Sequence, residues 1–378
     1  MSFNVKLESK KAKIGSEERA RLNLMREVSV PHERRTQIAG AYKKVLKRRI
    51  AVLMGLLLVI GAGLLTDFML GPSGLTPGQL WHTLFHPDLV NVSQSVIVWQ
   101  IRLPYALMAV FVGMALGLSG GEMQTILDNP LASPYTLGVS AAASFGASLA
   151  IILHWGLPGI PPEWIVSGNA FVFAIGSAFL LDLVARVSRS STSIVVLFGI
   201  ALVFTFHALV SMVQFVANED ALQDLVFWTM GSLTRANWPK LGLLVAAFFL
   251  ILPLSLKAAW KLTILRLGEE RAASFGVDIR KTRIAALFRI SILSALAVSF
   301  VGTIGFVGLV APHIARRLLG EDHRFYLPGC ALVGGVILSF SSVAAKNILP
   351  GVILPVGIVT ALVGIPFFMV IILRRQRA

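Results

Sequence analysis

The sequence predicts an all-α, polytopic membrane protein with about ten transmembrane helices. Of its 378 residues, 56% are hydrophobic and only 14% charged, and the mean hydropathy is +0.77, far too apolar for a soluble domain of this length. Apolar runs of about 20 residues recur from Ile50 to Leu373, each long enough to cross a hydrocarbon core of about 30 Å as a helix. Lipid offers the backbone no hydrogen-bond partners, which leaves helices or a closed barrel. A barrel reads as alternating segments of about 10 residues, and these runs are continuous.

In chain order, nine spans fall near residues 50–70, 103–122, 136–155, 169–186, 193–216, 240–257, 284–303, 326–345 and 356–373. A shorter apolar piece, GFVGLVAPHIARRLLG from Gly305 to Gly320, either makes a tenth crossing or enters and leaves on one side. Charge decides between these. The first 49 residues carry 14 Lys/Arg and the last residues include RRQR. Basic flanks stay on the cytoplasmic side, which puts both termini there and requires an even number of crossings. Residues from about Gly305 to Leu319 therefore cross. On this count 15 further Lys/Arg lie on the cytoplasmic face, against Arg102, Arg235, Lys240 and Lys346 outside, where Glu219, Asp220 and Asp224 also fall.

The net charge of +15 thus follows from position in a membrane protein, and no nucleic-acid partner is expected. Residues 1–48 read as a basic cytoplasmic tail and residues 49–378 as the transmembrane domain. So polar a start is not a secretory signal peptide, which has a short charged region and an early apolar core. The tail is expected to be solvated or partly helical, lying on anionic lipid headgroups. Cys330 is the only cysteine, so no intrachain disulfide and no cysteine-based metal cage can form.

Individual residues exclude several chemistries. LSGGE at Leu118 to Glu122 looks like the signature that ATP-binding cassette ATPases place against nucleotide. It ends an apolar span, however, and the chain has no G-x-x-x-x-G-K-[ST] loop to cradle phosphates. Its small residues suit close helix packing in lipid. His207 lies within the fifth span and is expected to be a hydrogen-bonded packing histidine or, less simply, to line a pathway with Gln214 seven residues on. No second ligand sits at helical spacing from it, so no metal site is expected. Glu122 is placed at a span end within reach of water, and Asn129 and Pro130 in NPLASP form a structural turn. A secondary transporter would place ionisable groups at mid-membrane, whereas Asp67, Glu122 and Asp182 read as lying near span ends. An intramembrane enzyme would need paired catalytic groups, and His207 and His313 have no carboxylate neighbours in sequence.

The stretch from Ile101 to Ala147, IRLPYALMAVFVGMALGLSGGEMQTILDNPLASPYTLGVSAAASFGA, resembles the permease family of ABC importers for ferric siderophores, haem and cobalamin, the FecCD-type permeases. Leu267 to Arg280, Gly305 to His313, Asp322 to Gly329 and Pro355 to Phe368 resemble later blocks of that family, so the likeness runs from about residue 50 to the end. It implies a type II ABC importer permease fold in the cell inner membrane, with no enzyme activity, cofactor or metal of its own. The implied partners are a second permease subunit in a homo- or heterodimer, cytoplasmic ABC ATPase subunits, and a periplasmic or lipid-anchored substrate-binding protein. The implied cargo is an iron-siderophore-like chelate.

The resemblance also assigns residues. Gly268, Glu269, Glu270, Arg271, Ala272, Ala273 and Gly276 fall in the loop that family members seat in the ATPase, and the residue types fit a short surface helix. Arg102 and Lys346 fall where basic groups meet acids of the binding protein. Tyr105, Ser342 and Ile353 depart from the family's arginine, aspartate and acid at those places, which implies rearranged docking electrostatics.

Overall fold

The computed structural model describes residues 32–71, 73–187, 192–349 and 351–375. The chain divides into two units, residues 1–51 and 52–378. The first 31 residues of the predicted tail lie outside the described residues, and helix α1 runs from His32 to Met69. A short α2 (Pro77–Phe85) is held by a reciprocal capping box between Thr76 and Gln79, which satisfies two donors at its start. Helix α3 (Val92–Ile126) is the longest apolar helix after it. It widens into a π-turn at Ile97–Arg102 just before Pro104, a residue with no N–H for the regular ladder. The carbonyl of Trp99, within that turn, accepts the indole N–H of Trp238 at 2.8 Å.

The remaining helices are α4 (Val139–Ile152), α5 (Pro162–Val187), α6 (Thr192–Phe215), α7 (Glu219–Thr229), α8 (Trp238–Leu265), α9 (Glu269–Ser274), α10 (Ile279–Val301), α11 (Val307–Leu319), α12 (His323–Asn347) and α13 (Val356–Arg375). Seven helices are long and apolar enough to cross a membrane, and α4 and the first part of α13 are shorter apolar helices. All nine predicted spans coincide with helices. Glu219, Asp220 and Asp224 lie on the short helix α7, capped by Asn218.

Hydrogen bonds at the two ends of the bundle show that the chain passes from one end to the other between α10 and α12. The carbonyl of Val301, at the end of α10, accepts from Ser232 at 2.7 Å, beside the start of α8. His323, which opens α12, lies 2.8 Å from Thr125 and 3.2 Å from Thr263, at the opposite ends of α3 and α8. The chain between them must traverse the bundle, and it does so through α11, only 13 residues long, preceded by non-helical residues 302–305. Helix α1 ends, and α13 begins, at the end away from α9: Asp67 meets Lys346, and Gly357 donates to Gly231 at 3.2 Å. The even parity read from charge is thus present in the geometry.

The core is built on close backbone contact. Along one face of α3, a Cβ added at Gly117 would collide with the carbonyl of Cys330, and one at Gly120 with that of Gly308, so α12 and α11 press directly on α3. The LSGGE residues are this packing surface, buried throughout. Glu122 corrects the sequence reading: it is 1% exposed and forms a two-pronged pair with Arg289 of α10 at 2.9–3.2 Å. Asp67 is likewise fully buried. Both carboxylates are enclosed because each has a cation on a neighbouring helix.

Candidate functional site

At one end of the bundle, α8 and α10 are joined by the segment singled out in the sequence. Gly268 has φ 102° and Gly276 φ 77°, backbone that glycine adopts without strain, and between these turns stands the six-residue α9. Ala272 is its buried residue, while Glu269, Glu270, Arg271 and Ala273 are exposed. Leu267 and Phe275 flank it with 53% and 60% of their surface open. Asp278 caps α10, and the backbone N–H and ammonium of Lys281 hold its exposed carboxyl below the usual carboxylate range. The result is a projecting helical knob with small, charged and apolar groups turned outward.

Beneath the knob the span ends are laced by arginines. Arg283 reaches Ile126 and Glu269. Arg266 reaches Asp128 at 2.6 Å and Glu321 at 3.1 Å, and Arg316 meets Glu321 at 3.2 Å. The NPLASP turn is locally bonded as expected, with Asn129 accepting from the N–H of Leu131 at 2.9 Å.

At the other end, Arg102 and Lys346 are turned into the protein, which corrects the expectation of outward-facing charge. Arg102 is 5% exposed and donates to the carbonyls of Phe68, Met69 and Gly71 at 3.0–3.2 Å. The carbonyls left open where α1 ends need donors, and Arg102 supplies them. Lys346 donates to the Asp67 backbone carbonyl at 2.8 Å and lies 3.1 Å from its carboxylate, with Nζ 4.2 Å from the centre of the Tyr105 ring. Ser342 donates to the same carboxylate at 2.8 Å, so the acid that is missing at Ser342 is supplied by α1. Arg102, Tyr105, Lys346 and Ile353 line a cavity of about 240 Å³ between α1, α3 and α12.

On α6, His207 is exposed and Gln214 half-buried, with exposed Ser211 between them. Their spacing of four and then three residues puts them on one stripe of the helix. Exposure rules out the expected role of His207 as a packing residue within this chain. Sequence reasoning missed Arg289 altogether, although an arginine inside the predicted 284–303 span signals a buried partner. It also missed Arg283, whose position one residue before that span gave no sign of its contacts. Among the described residues no group of three His, Cys, Asp or Glu is placed to hold a metal.

A bundle of long apolar helices, with α11 and α12 in backbone contact with α3 and a helical knob presented at one end, has the form of a membrane permease subunit. The profile of the FecCD transport family matches residues 56–374, and the chain belongs to that family. It is 35% identical over 332 residues to the hemin transport system permease protein of Yersinia pestis, covering 86% of this chain and 96% of that one. It is 34% identical over 332 residues to the molybdate import system permease protein of Haemophilus influenzae, with the same coverage. A solved structure described as an inward-facing conformation of a provisionally assigned metal-chelate type ABC transporter superposes with a TM-score of 0.74 at 31% identity, covering 86% of this chain and 99% of that one. The chain is thus an ABC importer permease, and is not itself an enzyme.

Proposed function

We propose that this permease forms half of the pathway for an iron-siderophore-like chelate, delivered by an external binding protein and driven by an ATPase subunit seated on α9. The α9 geometry carries this reading. A six-residue helix between two left-handed glycines, showing Ala273 and two apolar side chains to solvent, is shaped to be gripped, and nothing in a free-standing transporter requires it. The α9 end is then cytoplasmic, and the cavity at Arg102 and Lys346 faces the binding protein. A second permease subunit completes the pathway, with the stripe His207, Ser211 and Gln214 turned to it. The chelate class is supported by the metal-chelate type transporter of similar fold; the named hemin and molybdate relatives show that cargo varies within the family.

Replacing Ala273 by Arg inserts a bulky charge into the contact with the ATPase. An unpaired charge buried at an interface costs about 2–5 kcal/mol, a loss of at least tenfold in affinity. Co-purification of the ATPase should fall accordingly while the variant reaches the membrane in normal amount. Undiminished ATPase binding and unchanged uptake of a radiolabelled ferric siderophore by the variant would overturn the assignment of α9. Uptake of hemin but of no ferric siderophore by the unmutated complex would overturn the cargo.

A further inference from the structure

Arg283 stands in the second turn of α10 with its side chain 5% exposed, and both ends of its guanidinium are committed to other elements. Its Nε donates to the carbonyl of Ile126 at 2.9 Å, the last residue of α3. Its Nη2 donates to Glu269 at 2.7 Å, the first residue of α9. A carbonyl at a helix end has no partner inside the helix and bears the negative end of the dipole, so a cation caps it well. The buried residue of α9 is Ala272, whose methyl group can slide over its neighbours and gives no directional hold.

We propose that Arg283 is the positioning residue that carries a displacement of α9 to the end of α3; the inference rests on the importer reading, in which a partner moves α9. Charge-assisted hydrogen bonds are short and about twice as strong as neutral ones, and a guanidinium is a rigid planar fork. A pull on Glu269 therefore displaces the fork and, through it, Ile126. Helix α3 then takes α12 with it, because the two backbones touch at Gly117 and Gly334. A second link, Arg266 to Asp128, is the more open of the two: its side chains are 21% and 77% exposed, against 5% and 57% for Arg283 and Glu269, so water competes with it more.

The test uses the full chain assembled with its ATPase in nanodiscs, with one cysteine added at exposed Leu131, beyond the end of α3, or at exposed Ser274 on α9. Cys330 is fully buried and stays in place. Maleimide labelling rates are compared with and without ATP plus vanadate. In the unmutated background both positions should respond to nucleotide. In Arg283→Gln, Ser274→Cys should still respond and Leu131→Cys should not. Glu269→Ala, a change at an exposed side chain that removes the acceptor and leaves the bundle intact, should give the same split and serves if Arg283→Gln does not fold. The exchange Glu269→Arg with Arg283→Glu separates transmission from simple stability: it restores a salt bridge, but a carboxylate cannot donate to the Ile126 carbonyl, so the Leu131 response should stay lost. A Leu131 response of unmutated size in Arg283→Gln or Glu269→Ala, with ATPase bound, overturns this inference alone. Failure of the unmutated chain to hold any ATPase overturns the importer reading and the inference with it.

Discussion

Glu122 and Arg289 illustrate what a charge demands inside a membrane protein. Neither side chain is more than 8% exposed, so each has given up its water, and the pair is retained because removing either partner leaves the other unsatisfied. Arg289→Leu should therefore lower stability by about 3–5 kcal/mol, read as a marked drop in the detergent melting temperature. Replacing both partners, Glu122→Leu with Arg289→Met, should recover most of that loss, since two apolar groups of similar volume need no partners. If the double variant melts no higher than Arg289→Leu, the pair does not act as a unit. Asp67 and Lys346 obey the same rule at the other end, which is why the basic residues expected to greet an outside partner are occupied within the chain. The sequence showed where these groups lie along their helices but not which helices are neighbours, and pairing is a property of neighbours.

For whole helices the decisive feature is backbone proximity. Gly120→Val should prevent α11 from seating on α3, because the added carbons meet the Gly308 carbonyl and a backbone cannot step aside as a side chain can. Overpacking of this kind typically costs about 1–3 kcal/mol, occasionally more. Gly176→Ala is the control: nothing lies within 4 Å of its added Cβ, and its melting temperature should be no lower than that of the unmutated protein, since alanine favours the helix. Equal melting of the two variants would contradict the packing described. Helices of this kind were easy to find in the sequence, because lipid imposes long apolar runs and α9 is bracketed by glycines. The helix α7 was not, since its 11 residues carry Glu219, Asp220 and Asp224 and match no span pattern. The exposure of His207 was equally hidden, because a single helix does not say which of its sides meets a neighbour.

Across the whole molecule, charge parity and the hydrogen bonds at opposite ends of the bundle both place a passage of the chain between α10 and α12. If the α9 end is cytoplasmic, a cysteine at Glu321, between α11 and α12, should be shielded from an impermeant thiol reagent added outside intact cells whose outer barrier has been removed. Labelling from outside would reverse the proposed orientation. The contact between α3 and α12 also bears on how such a protein can change its cargo over time. Where Gly113 and Gly117 meet Gly334 and Cys330 backbone to backbone, the two helices behave as one stiff beam, because no side chain lies between them at those points to be enlarged, trimmed or rotated. Mutation can therefore find little room along that seam. If α6 lines the proposed pathway, variation that suits a new cargo falls on its exposed side chains, which can be exchanged one at a time while the beam keeps its shape.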